Sequence, residues 1–178
     1  MAHFADPRYP IGEFVQPATI DRRAREGFIQ DIEAAPVNLR GSVAGLQDVQ
    51  LDTHYRAGGW TVRQVVHHLP DSHLNAYVRF KLALTEEKPT IKTYDEARWA
   101  EMADSKTTPP EVSVKLLESL HRRWVKVLES MSAQDFARQM NHPEHGLMTL
   151  DKLLALYAWH GPHHVAHIMA LRERKSWK

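Results

Sequence analysis

Four stretches of this chain repeat apolar residues every three or four positions, and none alternates them every second position. A bundle of amphipathic helices is the fold that buries such stripes. The first runs from Thr19 through Ile20, Ala24, Phe28, Ile32, Leu39, Val43 and Leu46, with Pro36 predicting a kink or a break. The second opens on Thr61-Val62-Arg63-Gln64, which fits a capping box, and its stripe Val62, Val65, Val66, Leu69, Ala76, Phe80 and Leu84 extends to about Thr85. The third carries Val112, Leu116, Leu117, Leu120, Trp124, Val127, Leu128 and Met131, and the fourth begins at Thr149-Leu150-Asp151-Lys152 and runs to about Arg172. Residues 86–110 form a long connection with a short helical piece around Tyr94 to Met102. The expected class is all-α: a four-helix bundle with one long crossover and no sheet, in a single domain over residues 1–178. Pro7, Pro10 and Pro17 make residues 1–17 an extended N-terminal arm packed across it.

Composition removes several function classes. Lys and Arg number 23 against 22 Asp and Glu, with no long basic run, so no nucleic-acid partner is expected. No apolar run approaches the roughly 18 to 20 residues of a membrane span, and the opening Met1-Ala2-His3-Phe4-Ala5-Asp6-Pro7 lacks a signal-peptide apolar core, so a cytoplasmic protein without membrane contact is expected. The absence of cysteine excludes disulfides, thiolate metal sites, iron–sulfur clusters and a cysteine nucleophile, and any metal must bind nitrogen or oxygen. The chain carries 12 histidines, and they concentrate in two internal clusters.

On the fourth helix His160 and His164 are one turn apart and continue the stripe of Leu150, Leu153, Leu154, Tyr157, Ile168 and Leu171. Both should face the interior, where such a pair can share a metal ion with a third ligand from a facing helix, or serve as hydrogen-bonded core groups. His163 and His167 read as flank residues. On the second helix His67, His68 and His73 are each able to complete a site: His73 lies nearest the apolar centre, His68 on one edge, and His67 most nearly toward solvent. Pro70 and Pro162 predict kinks beside both sets. The position after His160 is Gly161, not the Glu of an HExxH metalloprotease, and there is no phosphate loop, no GxSxG elbow and no pair of ExxH elements. What remains is one metal held by neutral imidazoles with an open position, which lowers the pKa of bound water toward ~7, or that of a bound thiol.

The run Trp60-Thr61-Val62-Arg63-Gln64-Val65-Val66-His67-His68-Leu69 and the run Trp159-His160 through His163-His164-Val165-Ala166-His167-Ile168 resemble the DinB superfamily, and within it the YfiT group of metal-dependent hydrolases. Tyr9-Pro10-Ile11-Gly12-Glu13-Phe14, Arg79-Phe80-Lys81-Leu82 and Asp104-Ser105-Lys106-Thr107 extend the resemblance over nearly the whole chain. It implies a DinB-like four-helix bundle, a homodimer, and one divalent ion, zinc or nickel, on three histidines. Its pattern of a His before Leu on the second helix plus an HxxxH pair on the fourth transfers to His68, His160 and His164. Pro70, where relatives usually have Ala, and Gly161-Pro162 depart from it within a turn of the ligands.

The leading expectation is a hydrolase that activates water for a small-molecule substrate, with Asp71 or His167 as the catalytic proton acceptor and Trp60, Tyr77 and Trp159 lining the pocket. The second is an S-transferase using a low-molecular-weight thiol such as bacillithiol, with Arg56, Arg63 or Arg79 anchoring its acidic groups. The third is a non-catalytic metal-binding stress protein, with a closed fourth ligand.

Overall fold

In the computed structural model, which describes residues 6–177, the bundle is built from α1 (Arg22–Val43), α3 (Val62–Thr85), α6 (Pro110–Ser130) and α8 (Leu150–Arg174). Short helices sit in the connections: α2 (Asp48–Leu51), α4 (Glu96–Ala100), α5 (Ala103–Thr107) and α7 (Ala133–Phe136). The predicted capping box forms, with Thr61 accepting from the Gln64 N–H while Gln64 reciprocates, and at the start of α8 Thr149 accepts from the Lys152 N–H. α1 is unbroken at Pro36, and α3 and α8 likewise run through Pro70 and Pro162. The expected break is absent because both sides of Pro36 bury apolar residues, Ile32 and Leu39, on the same face. The helical piece expected around Tyr94 to Met102 forms as α4, and a second short helix, α5, follows it.

The expectation of no sheet is corrected by one hairpin, β1 (Gln139–His142) paired antiparallel with β2 (Gly146–Thr149). Strands of four residues are too short to display alternation. Gly146, at φ 67°, supplies the left-handed conformation that closes the turn. Of the N-terminal arm, residues 1–5 lie outside the described residues; residues 6–17 form no helix or strand and cross α8, with the Phe14 ring 5.8 Å from Trp159.

Partner residues fix the direction of each helix. Arg25 at the start of α1 holds Asp151 at the start of α8 through two 2.7 Å bonds, and Arg172 at the end of α8 donates to the Ser42 and Ala44 carbonyls at the end of α1. These two helices are therefore parallel neighbours. α3 and α6 are also parallel, since His67 meets Ser113 and Phe80 meets Trp124. α3 opposes α8, and α1 opposes α6, where Arg40 reaches Glu111 and Glu118. Joining parallel α3 and α6 requires a chain that returns along about 35 Å of helix, and residues 86–109 do so.

The core is in two parts. One holds Ile32, Phe80, Trp124, Leu153 and Leu154, and the other Leu39, Val62, Val66, Leu117 and Ile168. Burying each such side chain contributes roughly 1.5–3 kcal/mol. Between the two parts, the same helices carry His68, His73, His121, His160 and His164. A layer of imidazoles divides the hydrophobic interior.

Candidate metal centre

A cavity of about 600 Å3 opens onto that layer. α3 contributes His68 and α8 contributes His160, His163, His164 and His167. Arg8, Trp60, Arg79, Tyr94 and His142 complete much of the wall. His68, His160 and His164 come together: the His160 Nε2 lies 3.4 Å from the His68 Nε2 and 3.2 Å from the His164 Nε2. Two bonds of 2.0–2.1 Å meeting at a tetrahedral angle separate zinc-ligating nitrogens by about 3.3–3.4 Å. The nitrogens thus have the spacing and the chemistry to hold a small divalent ion. Antiparallel α3 and α8 produce this arrangement, because one turn of α8 sets two imidazoles above one another and the facing helix supplies the third.

All three rings are held neutral. Burial pushes His68 down to about 4, with His163 nearby adding to the effect, and burial followed by neighbouring histidines holds His160 and His164 well below the usual imidazole range. Among the described residues no carboxylate touches them. Neutral imidazole is the form that ligates metal.

The other expectations divide. His67 does not face solvent: it is 5% exposed, with Nδ1 2.7 Å from the Ser113 hydroxyl and Nε2 2.9 Å from the Thr108 carbonyl. The returning crossover covers the face that a lone helix would expose. His163 and His167 are buried cavity residues rather than flank residues, because the arm and the Tyr55 loop cover that side of α8. His167 donates Nε2–H to the Arg8 carbonyl at 3.1 Å and stacks on Tyr55, leaving its Nδ1 bare and without a partner among the described residues. Asp71 does not line the cavity; it is half-buried, and burial, reinforced by Asp104, raises its carboxyl to about 6.

Trp60 lines the cavity, its ring 4.7 Å from His68. Tyr77 instead joins the core, and Trp159 stacks on the outer side of His163 at 4.2 Å. Of the three arginines, Arg56 and Arg79 reach the wall, whereas Arg63 pairs with Asp48 and Asp52 at 2.8 and 2.7 Å and braces the loop before α3. Arg79 is 8% exposed, donates from Nη2 to the Lys92 carbonyl at 3.3 Å, meets no carboxylate among the described residues, and leaves its Nε unsatisfied.

Sequence reading missed His121 and His142. His121 sits between Leu120 and Trp124 on the apolar stripe of α6, a signal that marked it as interior. His142 is delivered by the hairpin, where its Nδ1 accepts from the Glu144 and His145 amides at 3.2 and 3.3 Å, and no periodicity announced it. Gly161 also gains a reason: a Cβ there would stand 3.0 Å from the Ala35 Cβ, so α1 and α8 approach too closely for the Glu of an HExxH motif.

A helical bundle that presents converging imidazoles to an internal cavity is of the class that builds its ligand and metal sites from facing core helices. Residues 31–168 match the DinB superfamily, and the chain belongs to it. It is 54% identical over 172 residues to a Bacillus mycoides protein named "Putative metal-dependent hydrolase", covering 97% of this chain and 99% of that one. A Bacillus cereus relative of the same name is also 54% identical with the same coverage. Among solved structures, it superimposes with a TM-score of 0.95 at 48% identity on YfiT from Bacillus subtilis, over 98% of this chain and 100% of that one. That protein is described as "a probable metal-dependent hydrolase with an unusual four-helix bundle topology". The parallel pairs α1–α8 and α3–α6 found here are a departure from simple up-and-down order.

Proposed function

We propose that this chain is a metal-dependent hydrolase in which His68, His160 and His164 hold one divalent ion, zinc or nickel, through their Nε2 atoms. The observation carrying this reading is the 3.2 and 3.4 Å separation of three neutral nitrogens, which as bare lone pairs would repel one another. A bound ion would supply Lewis acidity, lowering the pKa of a water it holds toward ~7. The chain's own residues then have definite tasks. His167 holds its proton at Nε2 against the Arg8 carbonyl, so Nδ1 is the atom available to take one. Trp60 packs on His68 and shields it from bulk water. Asp71 lies outside the cavity wall.

A second reading is favoured by Arg79. A buried guanidinium that meets no carboxylate among the described residues suits an acidic ligand, and an S-transferase taking a low-molecular-weight thiol would place its carboxylates there.

Metal content by plasma mass spectrometry tests the site in untagged, dialysed protein. About one ion per chain is expected in the wild type, lost in His68→Ala and in His160→Ala. No bound ion, even after zinc or nickel is added, overturns the proposal. Hydrolysable esters and amides, then acidic thiols with an electrophilic acceptor, separate the two reactions in the loaded protein.

A further inference from the structure

His160 is the end of a row of imidazoles. Its Nδ1 lies 3.1 Å from the His73 Nε2, the His73 Nδ1 lies 2.8 Å from the His121 Nε2, and the His121 Nδ1 lies 2.5 Å from the Ile32 carbonyl oxygen. The row crosses the bundle from α8 through α3 and α6 to α1. The carbonyl at its far end is unusual. In a continuous helix it would accept from the N–H four residues on, but that residue is Pro36, which has none. Pro36 therefore leaves the Ile32 carbonyl free inside the bundle, and His121 answers it.

A carbonyl only accepts, so the His121 Nδ1 carries the proton. His121 is 2% exposed and has no carboxylate against it among the described residues, so it is neutral and its Nε2 is bare. His73, fully buried, must then donate through Nδ1, which leaves its own Nε2 bare. His160 must donate in turn through Nδ1, which leaves its Nε2 bare. That is the nitrogen standing 3.2 and 3.4 Å from its two companions. The opposite polarity would place a hydrogen on the His160 Nε2, inside the site, and would set the bare Nδ1 of His121 against the bare lone pairs of a carbonyl.

We infer that His121 and His73 are positioning residues which, oriented by the carbonyl that Pro36 frees, fix His160 as the Nδ1–H tautomer and so prepare its Nε2 to ligate. The inference rests on the metal reading above, yet it concerns a property of the metal-free chain. It also accounts for a buried polar layer between two apolar clusters: each nitrogen of His73 and His121 has a partner, so the row is satisfied throughout.

The test has two parts. Long-range proton–nitrogen NMR on the metal-free wild type reads the tautomer of His160, assigned by its loss in His160→Ala. Nδ1–H with a bare Nε2 is expected, and Nε2–H overturns the inference whether or not the protein binds metal. Cobalt affinity, followed by its visible absorption, is then compared in two variants. His73→Leu removes the acceptor and should weaken binding about 10–100-fold, the range for loss of an outer hydrogen bond to a ligating imidazole. His73→Gln places an amide oxygen where the His73 Nε2 stood and should recover most of that loss. Equal affinity in His73→Leu and wild type, or equal weakening in both variants, overturns the inference. Should His73→Leu fail to fold, the wild-type tautomer together with the affinity of His73→Gln, expected near that of the wild type, still decides it.

Discussion

Acidifying the metal-free protein from pH 7 to about pH 5 should unfold it progressively, and His121 allows the size of one contribution to be worked out. Burial lowers this imidazole to about 4 from an ordinary value of 6.5, its bond to the Ile32 carbonyl opposing the shift. A neutral buried histidine contributes stability that is fully present above 6.5. That stability is lost as pH falls toward 4, because the unfolded chain takes up the proton first. Two values 2.5 apart make the loss at pH 5 about 2 kcal/mol, rising to about 3 kcal/mol at pH 4. His68 and His163 are also pushed down to about 4, mainly by burial, and act in the same direction. Against a typical total of about 5–15 kcal/mol, these losses are enough to bring the acid midpoint into the range of mild buffers. The assay is urea unfolding at several pH values in the presence of a chelator, for the wild type and for His121→Met, which keeps volume and removes the titrating group. The fall in stability between pH 7 and pH 5 should be smaller in the variant by about 2 kcal/mol. Equal falls in both proteins would refute the reasoning, since His121 would then titrate alike folded and unfolded.

Other outcomes follow from the packing and the site. Gly161→Ala should destabilise the fold by about 1–3 kcal/mol in urea, since the new methyl meets the Ala35 Cβ at 3.0 Å and α1 and α8 must separate slightly. Asp151→Ala strands Arg25, which it holds by two 2.7 Å bonds with both side chains 17% exposed, and should cost about 1.5–3 kcal/mol. Trp124→Ala empties a fully buried site between α3, α6 and α8 and should cost about 3–5 kcal/mol by the same measurement. Zinc at a hundred times its dissociation constant should raise the wild-type melting temperature by about 5–11 °C and leave His160→Ala unmoved.

Most of the secondary structure was written in local patterns. The apolar stripes located the four long helices, and the capping residues Thr61 and Thr149 marked the starts of α3 and α8 within one residue. The His160 and His164 pair was legible because residues one turn apart share a helix face whatever surrounds the helix. The remaining features depend on what covers a face, and a single helix carries no record of that. On a lone helix His67 points to water, and the crossover at Thr108 and the start of α6 close over it. Asp71 is close to His68 in sequence, but the rotation of α3 turns it away from the cavity. Pro36 was readable as a helix disruptor only. That its missing N–H frees a carbonyl for His121, on a helix more than 80 residues further along, follows from the antiparallel packing of α1 on α6. By itself, then, the sequence determined which residues form helices and which imidazoles share a turn, because those are properties of a periodic backbone. Tertiary structure alone decided which nitrogens meet and which way their protons point, because hydrogen bonds between helices depend on the angles and separations at which the helices pack.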